Sequence, residues 1–376
     1  MLRITIGLLI LIHGIIHLVG FLNEWNLKKL DKFNGLTLIE LPPALLKTFG
    51  LLWLVACFLF IGIAALYYLK NYTWWQPALA AVVLSQILII FYWPEAKAGT
   101  VANLLVFMAA MTGYSNYRFN NMVKEEVQEL FSNQPARPKT IVTEDMYRGL
   151  PYPVQNWLSH CGITGKEIIC CARLRQQGSM RLKPGSEKWV PASAVQYVTT
   201  LEPGFTWKAK MEMMSVLPVN GRDKIIKGQG NMLIKALSTF VIADESGPKI
   251  NEGSLQRWLA EICWFPTAAL NKYIQWQAVD SNHANATISY KGTTGSVLFS
   301  FDNRGHITGC SADRYQGNKA SSVKEKWVIK TIRTGVRNGI IIPLESTITW
   351  KFKEGDFTWY KLYITDIAYN IPALYP

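Results

Sequence analysis

Four long stretches almost free of charge fall within the first 120 residues: Ile4–Leu22, Thr48–Leu69, Pro77–Trp93 and Thr100–Tyr114. A helix needs about 20 apolar residues to cross the hydrocarbon core of a bilayer. The first three stretches meet that length directly, and the fourth does if it runs on through Ser115–Phe119. Only eight of the 39 Lys and Arg and four of the 26 Asp and Glu lie in residues 1–120, so the first third is a different material from the rest. Trp25, Tyr67, Tyr68, Trp74, Trp75, Tyr92, Trp93, Tyr114 and Tyr117 sit near the ends of the stretches, as a headgroup belt requires. The pattern predicts a membrane all-α four-helix domain over residues 1–119, with spans at about 4–22, 48–69, 77–93 and 100–117.

A cleaved signal peptide is the alternative for the first stretch, because Arg3 precedes its apolar core. The run is longer than a usual signal core, however, and ends in GFLNEW instead of a small-x-small site. The net charge of +13 suits either nucleic acid or anionic lipid. Basic residues beyond 120 are dispersed among acids and carry no nucleic-acid-binding motif, so membrane lipids are the expected partner and nucleic acid is not. Ordinary solubility explains the dispersed charge equally well. The six cysteines show no CxxC and no paired spacing, which argues for free thiols and against a zinc ribbon.

Residues 120–140 read as a juxtamembrane helix, MVKEEVQELF, followed by a Pro-broken linker. From 141 to 376 the period changes. Runs such as EPGFTWKAKMEMMSV, ANATISYKGTTGSVLF and STITWKFKEGDFTWYKLYITDIAY alternate apolar and polar residues between Gly, Asn and Asp turns. FSFDNRGHITG and WKFKEGDFTWYKL read as hairpins. One helix, Ser254–Leu270, interrupts the strands, with Pro266 bending it near its end. The expected second domain is soluble and α+β: a curved, half-barrel-like antiparallel sheet with this amphipathic helix packed on its face.

No nucleophile elbow, HExxH, phosphate loop or dinucleotide fingerprint is present, so no catalytic residue, metal site or cofactor is assigned. Glu261, inside the apolar block WLAEICWF, reads either as an acid facing a pocket or as an ion-pair partner of Arg257 four residues earlier, and the second is favoured. Trp207, Met211, Met213, Met232, Trp258, Trp264 and Phe265 could line, with Glu261, a pocket for a hydrophobic ligand; for each taken alone, core packing is the plainer role.

Two histidines stand in the first apolar stretch. His13 and His17 lie about 40° apart around a helix, and Glu24 falls on the same stripe. Polar groups at membrane depth turn inward and pair with one another, so Gln86 and Asn103 are the expected partners of a polar seam. Metal or bis-histidine haem binding lacks the further ligands, and proton or quinone chemistry lacks further titratable groups at depth. A locking role within the bundle is favoured.

Taken in order, IHGIIHLVGF, SQILIIFYWPEAKAGTVANLLVF, LPYPVQNWL, MRLKPGSEKWVPASAVQYV, GRD, GSLQRWLAEICWFPTAAL and IPLESTITWKFKEGDFTWYKLYITDIAYN resemble an uncharacterised bacterial family with a four-helix membrane region before a β-rich domain. The second domain also looks like the half-barrel of lipoprotein carriers. These resemblances imply a multi-pass protein of the bacterial inner membrane whose soluble domain, lying outside the cytoplasm, binds a lipid or other hydrophobic ligand without covalent catalysis. The odd number of cysteines beyond the membrane region points to the other side. A membrane enzyme or proton- or quinone-linked protein using the His13/His17 seam, and a scaffold docking another protein, are the alternatives. Oligomeric state is not legible.

Overall fold

The computed structural model describes residues 2–28, 34–134, 139–212 and 218–376. The chain divides into two compact units, residues 1–121 with 237–239, and residues 122–236 with 240–376. The first contains α1 (Leu2–Glu24), α2 (Pro43–Tyr68), α3 (Trp75–Phe91), the single turn α4 (Trp93–Ala96) and most of α5 (Gly99–Ser132). Helix α2 begins with Pro43, which fits the first turn because the amide it lacks would have no partner there. Its last carbonyls are taken by Arg3, whose Nη2 donates to Tyr67 O at 2.8 Å and Tyr68 O at 3.0 Å. Helices α1 and α2 approach closely because Gly14 and Gly20 lie between them: a Cβ on Gly20 would meet the Trp53 ring at 2.6 Å.

Among the described residues, two helices are long and apolar enough to cross a bilayer, over Arg3–Glu24 and Pro43–Tyr68. Four such spans are not what length and apolarity deliver. Helix α3 is apolar but has 17 residues, and the stretch expected to span 100–117 is the first half of a 34-residue helix whose second half is charged. The residues read as a juxtamembrane helix are the last turns of α5. Val123, Val127 and Leu130 are buried there, and Glu126 pairs with Arg222 at 3.1 Å and Lys224 at 2.8 Å.

The second unit is one antiparallel sheet of thirteen strands with α6 (Tyr152–His160) and α7 (Pro248–Ala260). A first meander comprises β1 (Cys171–Met180), β2 (Val190–Thr199), β3 (Gly204–Glu212), β4 (Pro218–Ile226), β5 (Gln229–Ala236) and β6 (Phe240–Ser246). The second comprises β7 (Ile274–Ala278), β8 (His283–Tyr290), β9 (Thr293–Phe301), β10 (Ile307–Tyr315), β11 (Lys324–Arg337), β12 (Ile340–Phe352) and β13 (Gly355–Tyr369). Both expected hairpins are present, as β9–β10 and β12–β13. Two-residue turns set the register where the sequence supplies them: at Asn338-Gly339 both residues have positive φ, the conformation that matches strand twist.

The meanders join in the middle, where β1 pairs with β13. Their outer strands, β6 and β7, are the two edges of the sheet, and the chain passes from one to the other through α7. Helix α7 packs on β3–β6 from one meander and on β8–β10 from the other. It starts at Pro248, six residues before the expected start, and ends at Ala260. The single helix expected over 254–270 is instead α7 followed by two 3-10 turns, Glu261–Trp264 and Pro266–Leu270. The break falls at Phe265 (φ −137°, ψ 68°), because a residue preceding proline is pushed out of the helical region.

Gly178 marks the seam between the meanders, opposite Leu362. A Cβ there would lie 2.1 Å from the Lys361 carbonyl oxygen, which belongs to backbone that cannot move without breaking pairing. Gly178→Ala is expected to destabilise the sheet by about 1–3 kcal/mol, read as a lowered midpoint in thermal unfolding of the full chain.

Candidate functional site

Strand alternation sends every second side chain of β1, β3, β4, β10, β11, β12 and β13 towards α7. Most are apolar, and the helix does not fill the space they enclose. A cavity of about 390 Å³ remains between the inner face of the sheet and the helix with its first 3-10 turn. Trp207, Met211, Met232, Ile329, Trp350 and Leu362 are among its walls.

A chain of polar groups runs along one side of this cavity. Arg257 donates from Nε to Glu261 Oε1 at 2.8 Å and from Nη1 to Asp223 Oδ2 at 2.7 Å. Glu261 Oε2 accepts from Gln196 Nε2 at 2.5 Å. Gln176 Oε1 then accepts from Trp207 Nε1 at 2.9 Å, while its amide nitrogen donates to Gln196 Oε1 at 3.4 Å. The Arg257 guanidinium also lies 4.7 Å over Trp207 and 4.8 Å over Phe205. Burial works against its charge, but the Glu261 and Asp223 carboxylates outweigh that and hold it above its ordinary pKa.

Arg314, close enough to Asp223, Arg257 and Glu261 to feel their charges, is built differently. Its guanidinium rests 4.8 Å over the Trp327 ring and against the α7 backbone at Gly253, where a Cβ would come 3.0 Å from Nε. Its Nε is buried without a hydrogen-bond partner, as are the indole nitrogens of Trp327 and Trp359, and all three residues line the cavity. Burial draws the Arg314 pKa down to about 10, opposed by Asp223 and reinforced by Arg257, so it stays a cation at neutral pH. Cys310 also lines the cavity; burial, and then the charge of Glu261, pushes its thiol up to about 12.

In the first unit the histidines form a closed set. His17 Nδ1 lies 2.7 Å from the His13 carbonyl oxygen, which can only accept, so Nδ1 carries the proton. Its Nε2 is then free to accept from Ser85 Oγ at 2.7 Å. His13 Nε2 meets Asn103 Oδ1 at 2.8 Å. Asn103 Nδ2 donates to Gln86 Oε1 at 3.0 Å, and Gln86 Nε2 to Thr100 Oγ1 at 3.1 Å. Glu24 is buried but accepts from Asn23 at 3.3 Å, apart from the histidines.

Of the side chains expected around a hydrophobic pocket, Trp207, Met211, Met232, Glu261 and Trp264 line the cavity. Trp258 and Phe265 are fully buried in the core, 6.0 Å apart, and do not. Met213 lies outside the described residues. Sequence reading missed Gln176, Gln196, Asp223 and Arg314. Each sits on the apolar parity of its strand: Gln176 follows Leu174, Gln196 follows Ala194, Asp223 precedes Ile225 and Arg314 follows Ala312. A polar residue in that phase is the signal that marks them.

Residues 148–369 match the model of a family of unknown function (DUF6920), and the chain belongs to that family. No curated protein matches the sequence. Among solved structures, a LolA-superfamily protein from Nitrosomonas europaea is similar to 58% of this chain over 94% of its own, with 8% identity and a TM-score of 0.32. A likeness at that level carries no functional argument.

Arg257 neutralises two carboxylates that are almost entirely out of water. Arg257→Met is expected to cost about 3–5 kcal/mol, the usual effect of stripping one partner from a buried pair. Adding Glu261→Gln to that variant should restore part of the loss, and denaturant unfolding of the single and double variants measures the coupling.

Proposed function

We propose that the β-rich unit holds a lipid acyl chain, or a hydrophobic molecule of like size, in the cavity between α7 and the sheet. The observation that carries this reading is the cavity itself. At about 390 Å³ it falls in the range of roughly 300–1,000 Å³ usual for small-molecule sites, with mainly apolar walls and a few polar groups. The binding is non-covalent: the Cys310 thiol, pushed up to about 12, is a poor nucleophile at neutral pH. In the same proposal the first unit embeds in a membrane through four helices, α3 and the first half of α5 joining the two longer ones. The sheet unit then lies on the extracytoplasmic side and takes its ligand from the bilayer.

Gly221 offers a direct test, because it lines the cavity and a Cβ there would touch only Trp207, at 3.8 Å. The full chain in mild detergent is expected to bind the neutral apolar fluorophore N-phenyl-1-naphthylamine. Gly221→Phe should fill the space and weaken that binding about tenfold or more, with the unfolding midpoint held. Unchanged binding in a folded Gly221→Phe protein would place the fluorophore elsewhere and sink the reading.

The side of the membrane is tested separately. Ser321 is exposed on the sheet unit, and Ser321→Cys in intact bacterial cells should react with a membrane-impermeant maleimide. Reaction only after lysis would put the unit in the cytoplasm.

A further inference from the structure

Arg314 Nε, Trp327 Nε1 and Trp359 Nε1 are buried donors without acceptors on residues that line one cavity, whereas Arg222, which also lines it, has its Nε 3.1 Å from Glu126. Three of the four carboxylate oxygens of Asp223 and Glu261, whose charges act on Arg314, are engaged. Asp223 and Glu261 are held by Arg257 at 2.7 and 2.8 Å, and the second oxygen of Glu261 by Gln196. Arg314 itself makes no hydrogen bond or ion pair among the described residues; its neighbours are the Trp327 ring and the helix backbone at Gly253. The walls thus carry donors without acceptors, one of them on a cation at neutral pH. A buried donor left unsatisfied costs about 1–3 kcal/mol, more when charged, so a ligand able to supply acceptors at this place is bound at an advantage.

We infer that the cavity selects an amphiphile with an oxyanion head, a carboxylate or a phosphate ester, seated on the Arg314 guanidinium with the Trp327 N–H beside it, its apolar chain filling the rest of the cavity. This rests on the cavity reading above and adds the class of head group. A guanidinium suits either head because its planar fork offers parallel N–H donors to two oxygens of one acid. The Trp327 ring beneath holds that fork in place, and the absence of a side chain at Gly253 leaves it room. A neutral head, a hydroxyl or an ester, would satisfy one donor at most and could not take up the parallel N–H groups of the guanidinium.

Displacement of N-phenyl-1-naphthylamine from the full chain in mild detergent separates the possibilities, with oleate, 1-oleoyl lysophosphatidate and oleyl alcohol as competitors of one chain length. Acetate and inorganic phosphate supply the heads without a chain. At least one oleoyl acid should compete about tenfold or more better than oleyl alcohol, and which acid prevails tells carboxylate from phosphate. Neither free anion should displace the fluorophore. Arg314→Met should abolish the preference, bringing both acids down to the alcohol while the alcohol itself is unchanged. Arg314→Lys should retain part of the preference, and Trp327→Phe, which keeps the ring and loses the N–H, should weaken the acids a few-fold. Competition by oleyl alcohol equal to that of both acids in the native protein would overturn this inference and leave the cavity reading standing. So would an Arg314→Met protein that keeps the preference. A native protein that binds neither fluorophore nor alcohol would overturn the cavity reading, and this one with it. The unfolding midpoint of each variant shows that it is folded, and Arg314→Lys carries the test should Arg314→Met fail to fold.

Discussion

The structure of the second unit depends on one connection. The chain leaves the sheet at β6, one edge, and must re-enter at β7, the other. Thirteen strands at about 4.8 Å spacing would spread roughly 58 Å if the sheet were flat, whereas the 13 residues of α7 reach about 20 Å. A flat sheet would put β5 and β9, nine places apart in the strand order, beyond the reach of one such helix. Because α7 touches strands of both meanders, the sheet has to curl round it. Glycines complete the fit on both sides: a Cβ at Gly230 of β5 would come 3.0 Å from the Ile250 carbonyl, and one at Gly295 of β9 would come 2.8 Å from Gln256. The strands can therefore approach the helix backbone closely, and antiparallel order throughout follows from short hairpin links.

Curling round a helix encloses more volume than one helix fills. Large side chains occupy part of it, with Trp258, Phe265 and Phe299 fully buried, and the cavity is what remains. Its walls show why the polar chain from Asp223 to Gln176 sits where it does. Arg257 is on the helix, Asp223 on β4, and Gln196 and Gln176 on β2 and β1, so the network ties α7 to the first meander by directional bonds. Apolar packing alone would leave a helix on a curved apolar surface free to slide or rotate; buried charge pairs fix its position at a cost in desolvation.

The strand region, its hairpins and the presence of one packed helix were legible in the sequence because they rest on local period and turn chemistry. The strand order was not, since pairing β1 with β13 joins residues nearly 200 positions apart and no local pattern encodes it. Length and charge misled at three places. Helix α5 absorbs the segment expected to stand alone, because Val123, Val127 and Leu130 continue a helical stripe that is buried among neighbours. Helix α7 stops ten residues short of the expected end, and the 3-10 turn that follows it breaks at Phe265 because proline at 266 acts one residue upstream. The count of spans rested on the length and apolarity of sequence stretches, and among the described residues two folded helices meet both. For the cavity, large apolar residues drew the eye, yet Trp258 and Phe265 are core. The informative residues were polar ones in the apolar phase, visible only once strand faces are assigned one by one.

Two buried polar sets in this chain differ in a way that separates a structural role from a binding one. Around His13 and His17 the bonds run from ring to amide to amide to hydroxyl, and each of these donors meets an acceptor supplied by the protein. Asp223, Arg257, Glu261 and Gln196 close on themselves in the same manner. Such sets gain nothing further from a ligand, because any new bond would have to replace an existing one. Arg314 and Trp327 break that pattern within the same unit: they are preorganised against each other and against Gly253, and Arg314 Nε and Trp327 Nε1 have no acceptor. Folding has already met the cost of holding these groups in place, so an incoming oxyanion need not order them. A donor set that is fixed, charged and unsatisfied, at the wall of an apolar cavity, has its missing half in whatever the cavity takes up.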